Sequence, residues 1–326
     1  LSVTDREIKK VKRLIKKLSI GISFGYITSE ELIRLFGKYS DYIHDVFFSP
    51  TETIRLQTRH NIYNFSNTTN DERLQELDRV IQFVKGKEIK TSLVLNASMS
   101  SPEYMLEILD IYLKRYSIDS VTTTSPVAKL IRDNSFILPV VCSYNEGISN
   151  LNDLTRAVES NLFDSIVLGN SFIRNFHAFS YIKEHGLSTI LLVNNGCSFG
   201  CTNFCRSNNN DYCKNLFNKR ITDCGSVTEL YAQQSLFPEE LFQHYANNRN
   251  IDILKLSSRP ISYNEYDDLL QSYTSCNSRD FINKTSRNYH LYARLGHFGN
   301  YYKDFDYDII IRQKENIWQA IKKQKI

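Results

Sequence analysis

The chain has 326 residues, with 40 Lys and Arg against 36 Asp and Glu, giving a formal net charge of +4. Its content of 41% hydrophobic and 23% charged residues is typical of a globular protein and excludes a disordered chain. The apolar runs are too short to span a bilayer and no secretory signal precedes them, so we expect a cytoplasmic protein without a membrane partner. This length suits one large α/β barrel or two ordinary domains.

The basic run from Lys9 to Lys17 (KKVKRLIKK) predicts a solvated amphipathic first helix. Thr4 and Glu7 have the spacing of a capping box at its start. Few aromatic residues interleave with these lysines, so the pattern favours a solvated helix over a nucleic-acid surface. A nucleic-acid partner nevertheless stays open.

Eight short apolar or β-branched runs predict strands. They are Leu18–Ser23, Tyr42–Phe48, Thr91–Asn96, Ser120–Thr124, Ile137–Ser143, Ser165–Gly169, Thr189–Asn194 and Ile251–Leu256. Apolar spacings of three and four predict helices between most of them, most clearly at Asp71–Lys85, Pro102–Tyr116, Asn152–Ser160 and Phe172–His185. Apolar strands alternating with helices indicate a parallel sheet covered on its outer face.

Eight such units predict an α/β fold of the (β/α)8 TIM-type barrel class. An open doubly wound sheet is the alternative, but no GxGxxG follows the first strand and eight repeats exceed its usual count. We expect the barrel to occupy residues 1–276, including a cysteine-rich insertion at 195–250 between strands seven and eight, with strand seven ending at Asn194–Asn195. Residues 277–326 leave this rhythm and predict a C-terminal extension packing on the barrel. Its last part, Asp308–Lys325, has the pattern of a strand followed by a basic helix.

Polar residues recur where the predicted strands end, and in such barrels these loops carry the catalytic groups. An Asn or Ser there also caps the following helix, so each one alone is an ordinary loop residue. Together they predict a polar pocket for a small substrate. We expect Asn194 to be catalytic and expect the substrate to be bound by Asn96, Asn145, Asn170 and Ser171.

Five of the seven cysteines lie in the predicted insertion, in the pattern Cys-x3-Cys-x3-Cys-x7-Cys-x10-Cys. Four thiolates suit an iron–sulfur cluster or a tetrahedral zinc ion. The Cys-x2-Cys pairs common in zinc sites are absent, which favours a 4Fe–4S cluster over Zn2+; unligated thiols are the remaining alternative. The expected ligands are the four closest in sequence, Cys197, Cys201, Cys205 and Cys213, with Cys224 in reserve.

Lys255 stands in the otherwise apolar eighth strand, where a lysine must point into a polar pocket or find an anion. Arg259 follows at the predicted mouth of the barrel. A cationic pair at this position suits a carboxylate or phosphate group on the substrate, so both residues are catalytic candidates. The alternative is a structural ion pair inside the barrel.

Two stretches resemble the collagenase-like peptidase family U32. NNGCSFGCTNFC (Asn194–Cys205) is similar to the cysteine region of its small members, and NIDILKLSSRPISYNEYDDLLQSY (Asn250–Tyr273) looks like the eighth barrel unit. Lys255 and Arg259 match the Lys and Arg of that unit's motif, Phe-Lys-Ile-Glu-Gly-Arg. The resemblance implies a TIM-type barrel and an iron–sulfur cluster.

The motif is incomplete, because Ser257 and Ser258 stand where the family has Glu and Gly. A carboxylate usual on the active face is therefore missing. Reported activities of the family are proteolysis and oxygen-independent hydroxylation of RNA bases or quinone precursors. The resemblance thus implies a metal-dependent enzyme acting on a small anionic or nucleobase-like substrate by hydroxylation or related redox chemistry.

Two alternatives remain at this stage. The first is a peptidase or other hydrolase of the same family, although no GxSxG, HExxH or Cys-His signature is present. The second is a non-catalytic barrel, in which a structural zinc ion stiffens the long loop and the pocket binds a protein partner.

Overall fold

The computed structural model describes residues 17–22, 27–51, 70–96, 101–193, 236, 240–245, 248–256, 262–275 and 307–323. In this part of the chain eight parallel strands close into a barrel in chain order, and the last strand pairs with the first. The strands are β1 (Leu18–Gly21), β2 (Ile43–Phe48), β3 (Lys90–Leu95), β4 (Ser120–Thr123), β5 (Val140–Cys142), β6 (Ser165–Leu168), β7 (Ser188–Leu192) and β8 (Ile253–Lys255). The predicted (β/α)8 fold is confirmed.

Helices follow the strands and cover the outside of the barrel. They are α1 (Ser29–Lys38), α2 (Asn70–Gly86), α3 (Pro102–Arg115), α4 (Ser125–Asp133), α5 (Leu151–Glu159), α6 (Phe176–Glu184), α7 (Tyr263–Ser275) and α8 (Tyr307–Lys323). Short 3-10 turns at Tyr144–Glu146 and Asn170–Phe172 follow β5 and β6, and a π-helical turn at Leu241–Tyr245 precedes β8. Of the helices described, none combines the length and apolar character needed to cross a membrane.

Polar side chains fix where several of these helices begin. The Thr28 hydroxyl accepts a hydrogen bond from the Glu31 N–H, and the Glu31 carboxylate accepts one from the Thr28 N–H, which is a complete capping box for α1. Ser101, Asn150 and Asn175 cap α3, α5 and α6 in the simpler way, with one side-chain oxygen each. Part of the polar pattern after the strands is therefore helix capping.

Alternate strand residues face either the helices or the barrel interior. Residues such as Ile20, Val46, Leu93, Val121 and Cys142 face outward and belong to the main core between sheet and helices. A second, smaller apolar cluster consists of Val141, Val167, Ile190 and Leu192, with Tyr144 and Ile253 packed against it. Because these strand positions alternate with those of the main core, this second cluster lies inside the barrel.

A repeated aspartate clamp joins neighbouring strands at the N-terminal end of the barrel. Asp119 precedes β4, and its Oδ2 accepts a hydrogen bond from the Thr91 N–H on β3 at 2.7 Å and from the Lys85 ammonium on α2 at 2.6 Å. The Asp119 N–H donates back to the Thr91 carbonyl at 3.0 Å. The same three contacts recur in two further units, Asp164 with Val140 and Arg132, and Asp252 with Thr189 and Lys183.

The C-terminal helix α8 packs beside the segment that precedes β8. Trp318 belongs to the main core, and its indole Nε1 donates to Glu240 Oε1 at 2.9 Å. Glu240 Oε2 accepts from Lys314 Nζ at 2.5 Å, and Oε1 also accepts from Arg174 Nη2 at 2.8 Å. One buried carboxylate thus connects α8, the π-helical turn and the loop after β6.

Two boundary predictions are wrong. The strand expected at the start of Asp308–Lys325 is helical, since α8 begins at Tyr307; three consecutive isoleucines suggest a strand locally, but the helix places Lys314 and Trp318 one turn apart, both against Glu240. Strand β7 ends at Leu192 rather than at Asn194–Asn195, because its partner β8 ends at Lys255. The first predicted helix lies outside the described residues, and the division at residue 276 stays a prediction.

Candidate functional site

Five of the residues predicted for the site lie in the described part of the chain, namely Lys255, Asn96, Asn145, Asn170 and Ser171. The others lie outside it: Asn194, Arg259, Cys197, Cys201, Cys205, Cys213 and Cys224. The predicted metal centre therefore lies outside the described residues and stays a prediction. Among the residues that are described, no group of three or more His, Cys, Asp or Glu side chains is arranged to hold a metal ion.

Lys255 is the last residue of β8, and its side chain lies inside the barrel. It pairs in register with Leu192 on β7 and with Ser19 on β1. Its Nζ lies 4.0 Å from the centroid of the Phe47 ring, on β2. The lysine side chain therefore crosses the inner face of β1, and its ammonium group faces the π surface of an aromatic ring.

Asp45 is the carboxylate closest to this lysine in the pairing pattern. Ser19 on β1 pairs in register with Asp45 on one side and with Lys255 on the other, so the two charged residues flank the same serine. Asp45 Oδ1 is buried and has no hydrogen-bond partner among the described residues. A buried carboxylate oxygen that accepts no hydrogen bond lowers the stability of the folded protein. A functional role for Asp45 would explain why it is kept at this position.

The electrostatics of the pair follow from its enclosure. Burial lowers the pKa of Lys255 to about 8, and the Asp45 carboxylate limits that decrease. Burial raises the pKa of Asp45, against the opposing effects of the Lys255 charge and of a hydrogen bond from Ser19. Both side chains are only half-buried by accessible surface. We attribute that open surface to the barrel interior rather than to bulk solvent, which explains why desolvation still governs both pKa values.

The inward-facing strand positions form two levels inside the barrel. The lower level consists of Ser19, Asp45, Ser92, Ser120, Val141, Ser165, Ile190 and Ile253. The upper level consists of Gly21, Phe47, Val94, Thr122, Ser143, Val167, Leu192 and Lys255. Within these two levels, Asp45 and Lys255 carry the charges.

The barrel interior consequently has a mainly polar and a mainly apolar side, although Phe47 and Val94 lie on the first and Ser143 and Ser165 on the second. We define the polar wall as Ser19, Asp45, Ser92, Thr122 and Lys255, and the apolar wall as Val141, Val167, Ile190, Leu192 and Ile253. Within the polar wall the Ser92 and Thr122 hydroxyl oxygens lie 3.1 Å apart and share a hydrogen bond. A barrel interior is usually filled with branched apolar side chains, so a polar half is a departure that points to a ligand.

Two predicted substrate residues meet at the C-terminal end of the polar wall. Asn96 Nδ2 donates to Ser143 Oγ at 2.7 Å, and the Asn145 N–H donates to the same oxygen at 3.1 Å. Asn96 Oδ1 is buried, and no residue in the described part of the chain gives it a hydrogen bond. Asn96 is thus held with one free acceptor, whereas Asn145 contributes its backbone to this contact.

Asn170 and Ser171 begin the 3-10 turn that follows β6. The residue before them, Gly169, lies directly under the ring of Tyr144, because a β-carbon at position 169 would stand 2.0 Å from Tyr144 Cε2. Tyr144 packs against the apolar wall. This turn is therefore placed on the apolar side of the barrel mouth, while Asn96 and Lys255 are placed on the polar side.

Asp45 was missed by the sequence analysis, although the signal resembles the one that identified Lys255. It is a charged residue within an apolar strand run, IHDVFF (Ile43–Phe48). The aspartate clamp also had a signal, since each clamp follows the pattern apolar-Asp-x-apolar in IDSV, FDSI and IDIL. Asp45 pairs one position later than the clamp aspartates and faces inward, so it is not a fourth clamp.

Comparison with known proteins gives no matching family model and no matching curated protein. Solved structures with a related arrangement include a U32 peptidase, 13% identical with a TM-score of 0.45, where the match covers 75% of this chain and 93% of that one. A putative L-alanine-DL-glutamate epimerase from Burkholderia xenovorans strain LB400 is 11% identical with a TM-score of 0.43, covering 74% and 56%. Adenine deaminase from Arthrobacter aurescens is 11% identical with a TM-score of 0.41, covering 91% and 81%. At these values the likeness carries no functional argument.

Proposed function

We propose that this chain is a barrel enzyme that binds a small anionic substrate beside Lys255 and holds an iron–sulfur cluster in the adjacent cysteine segment. The observation that carries the proposal is the position of Lys255, inside the barrel at the C-terminal end of β8, where such folds perform their chemistry. A half-buried cation enclosed by the barrel attracts a carboxylate or phosphate more strongly than a surface lysine does.

The two walls of the barrel interior narrow the substrate class. A ligand between them meets hydroxyl and charged groups on one side and branched apolar side chains on the other. A flat ring with a polar edge and an acidic substituent satisfies both walls, as a nucleobase-like molecule or an aromatic acid does. The free Oδ1 of Asn96 offers one further acceptor for an N–H or O–H of the substrate.

The cysteine segment, defined as residues 194–235, begins and ends beside the same strand. It starts directly after Val193, and the Leu236 N–H donates to the Val193 carbonyl at 3.0 Å. The Val193 N–H in turn donates to the Lys255 carbonyl at 3.0 Å. The described residues on either side of the segment, Val193 and Leu236, therefore meet next to the proposed substrate site, which supports our proposal that Cys197, Cys201, Cys205 and Cys213 hold a cluster near it.

Four thiolates in such a loop are a donor set that iron–sulfur clusters use, and a cluster would supply electron transfer or Lewis-acid chemistry to the substrate. The contribution of the described residues is separate from that chemistry. Lys255 would orient the anionic group, the apolar wall would exclude water, and Asn96 would fix the polar edge.

The test begins with anaerobic purification, followed by measurement of iron, acid-labile sulfide, zinc and the visible spectrum. We expect iron and sulfide in the wild type, their loss in Cys201→Ser and Cys205→Ser, and their retention in the control Cys142→Ala, because Cys142 lies in the outer core. Lys255→Met should keep the cluster and lose binding of small anions. Colourless protein with one zinc per chain would support the non-catalytic alternative and overturn the redox proposal.

A further inference from the structure

We infer that Asp45 is a second functional residue of this site, which pairs with Lys255 in the free protein and takes up a proton when an anion binds there. The inference rests on the proposed anion site at Lys255. It adds Asp45 to that site, together with a proton that Asp45 takes up when the anion binds. It predicts that substrate binding and protonation are coupled.

The strand pairing places both charged residues beside the same serine. Ser19 lies between Asp45 and Lys255 in the strand pairing, and Lys255 reaches across β1 to the Phe47 ring, two residues beyond Asp45 on β2. An anion that approaches the Lys255 ammonium therefore also approaches the Asp45 carboxylate. Two anions near one cation in an enclosed space repel each other. The repulsion is relieved when the anion with the higher pKa takes up a proton.

Asp45 is suited to accept that proton. Its Oδ1 receives no hydrogen bond from any residue that the structure describes, so the ionised form is poorly stabilised. The charged and polar groups that lower its pKa are Lys255 on β8, Ser19 on β1, His44 on its own strand and Lys90 on β3, and burial raises the pKa of Asp45 in spite of all four. An incoming anion that occupies Lys255 removes the strongest of these stabilising partners.

The equivalent positions of the other strands argue against a purely structural role. At the level of Asp45, the other even-numbered strands carry Ser120, Ser165 and Ile253. None of these is charged, and the barrel closes around them in the same register. The N-terminal clamp that joins strands elsewhere uses different aspartates, so Asp45 is dispensable for the repeating framework of the barrel.

The experiment uses the full chain with its native metal content and two probes, inorganic phosphate and acetate. Binding is measured by calorimetry at neutral pH in two buffers of different ionisation enthalpy, which gives protons taken up per anion bound. Infrared difference spectra then report whether the carbonyl band of a protonated carboxyl group appears with the anion. The proteins compared are the wild type, Asp45→Asn, Lys255→Arg and the double variant. Arg stays charged and acetate is fully ionised at neutral pH, so proton uptake on acetate binding to Lys255→Arg reports on Asp45; the phosphate titrations, in which the anion itself exchanges protons, are compared with the double variant.

We expect up to one proton per anion and a protonated-carboxyl band in the wild type and in Lys255→Arg, and the loss of both signals in the double variant. The infrared band should also be absent from Asp45→Asn. Anion binding that depends on Lys255 but brings no proton and no band would overturn the role of Asp45 and leave the proposed function standing. Failure of both probes to bind, or binding unaffected in Lys255→Met, would overturn the anion site itself and the inference with it.

Discussion

The Phe47 ring lies across the backbone of Gly21, so close that a β-carbon at position 21 would stand 2.9 Å from Phe47 Cε2. The two residues pair in register on β2 and β1. The missing side chain of Gly21 lets the ring extend over β1, and there it meets the Lys255 ammonium at 4.0 Å. A glycine on β1 thus determines how a lysine on the neighbouring strand β8 is held.

Gly21→Ala should therefore displace the Phe47 ring and disturb Lys255 without unfolding the barrel. Overpacking of this kind costs ~1–3 kcal/mol of unfolding free energy. We expect a lower melting temperature together with weaker binding of phosphate or acetate. The matched control is Gly86→Ala at the end of α2, where an added β-carbon meets nothing within 4 Å; it should stabilise the helix slightly and leave anion binding unchanged. Unaltered anion binding in Gly21→Ala would show that the position of the Phe47 ring does not affect the site at Lys255.

The fold was predictable because its signals are local and repeated. Each of the eight strand runs overlaps an observed strand, with ends that differ by up to three residues, as in the observed β5 (Val140–Cys142) against the expected Ile137–Ser143. Periodicity identifies a strand, but where it ends depends on how far its neighbour continues, as β7 and β8 show. That is a tertiary constraint that no single run contains.

The aspartate clamp at the N-terminal end offers a direct stability test. Asp119→Ala removes the acceptor of the Thr91 N–H and of Lys85, leaving a donor unpaired at the start of β3. We expect a loss of ~1–3 kcal/mol in urea unfolding. Asp110→Ala is the control, since Asp110 forms an exposed ion pair with Lys114 within α3, which is worth ~0–1 kcal/mol.

The clamp also has a predicted pH dependence. Burial opposes ionisation of Asp119, but the Lys85 ammonium and the Thr91 donors outweigh it and lower the pKa of Asp119. A carboxyl whose pKa is lowered by folding stabilises the protein above its unfolded pKa, and that stability is lost as the pH falls through the folded value. The wild type and Asp119→Ala should therefore converge in stability in acid. If the two proteins differed by the same free energy of unfolding at pH 7 and in strong acid, the ionised Asp119 carboxylate would not be what stabilises the clamp.

The site was only partly predictable, for a physical reason. Lys255 is conspicuous because a lone charge in an apolar strand must be compensated, and the same argument applied to Asp45 would have found its partner. The pairing of Asp45 and Lys255 across Ser19 could not be predicted, because it depends on the closure of β8 onto β1 and on the register of both seams. Likewise, sequence alone cannot tell Asn150, which caps α5, from Asn96, which keeps a free oxygen.

Gly169→Ala tests the opposite side of the barrel mouth. The added β-carbon would overlap the Tyr144 ring, which has to leave its place against the apolar wall. We expect a loss of ~1–3 kcal/mol in unfolding free energy, and weaker binding of aromatic acids than of acetate or phosphate, because only the ring-binding side is changed. Equal effects on aromatic and non-aromatic anions would show that Tyr144 does not border the ligand.

The cluster around Glu240 predicts an unusual response of stability to alkaline pH. Burial lowers the pKa of Lys314 to about 7, although the Glu240 carboxylate favours the charged lysine. In the unfolded chain a lysine titrates at about 10.4. Between these values the unfolded chain holds a proton that the folded protein lacks, so the free energy of unfolding rises with pH from about 7 upward.

Lys314→Met should remove this rise. We expect the stability of the wild type, relative to the variant, to increase between pH 7 and 9.5 in urea unfolding experiments. The range stops there because the lysine of the unfolded chain itself titrates at about 10.4. Burial raises the pKa of Tyr245, whose ionisation in the unfolded chain opposes the trend at higher pH, but Tyr245 is present in both proteins and cancels in the difference. Lys255 contributes a rise of the same sign above pH 8, but it is present in both proteins and cancels in the difference.

Lys323→Met, at the exposed end of the same helix, should follow the wild type. Parallel curves for the wild type and Lys314→Met would mean that Lys314 stays protonated against Glu240, and that the buried cluster keeps its full charge throughout this range.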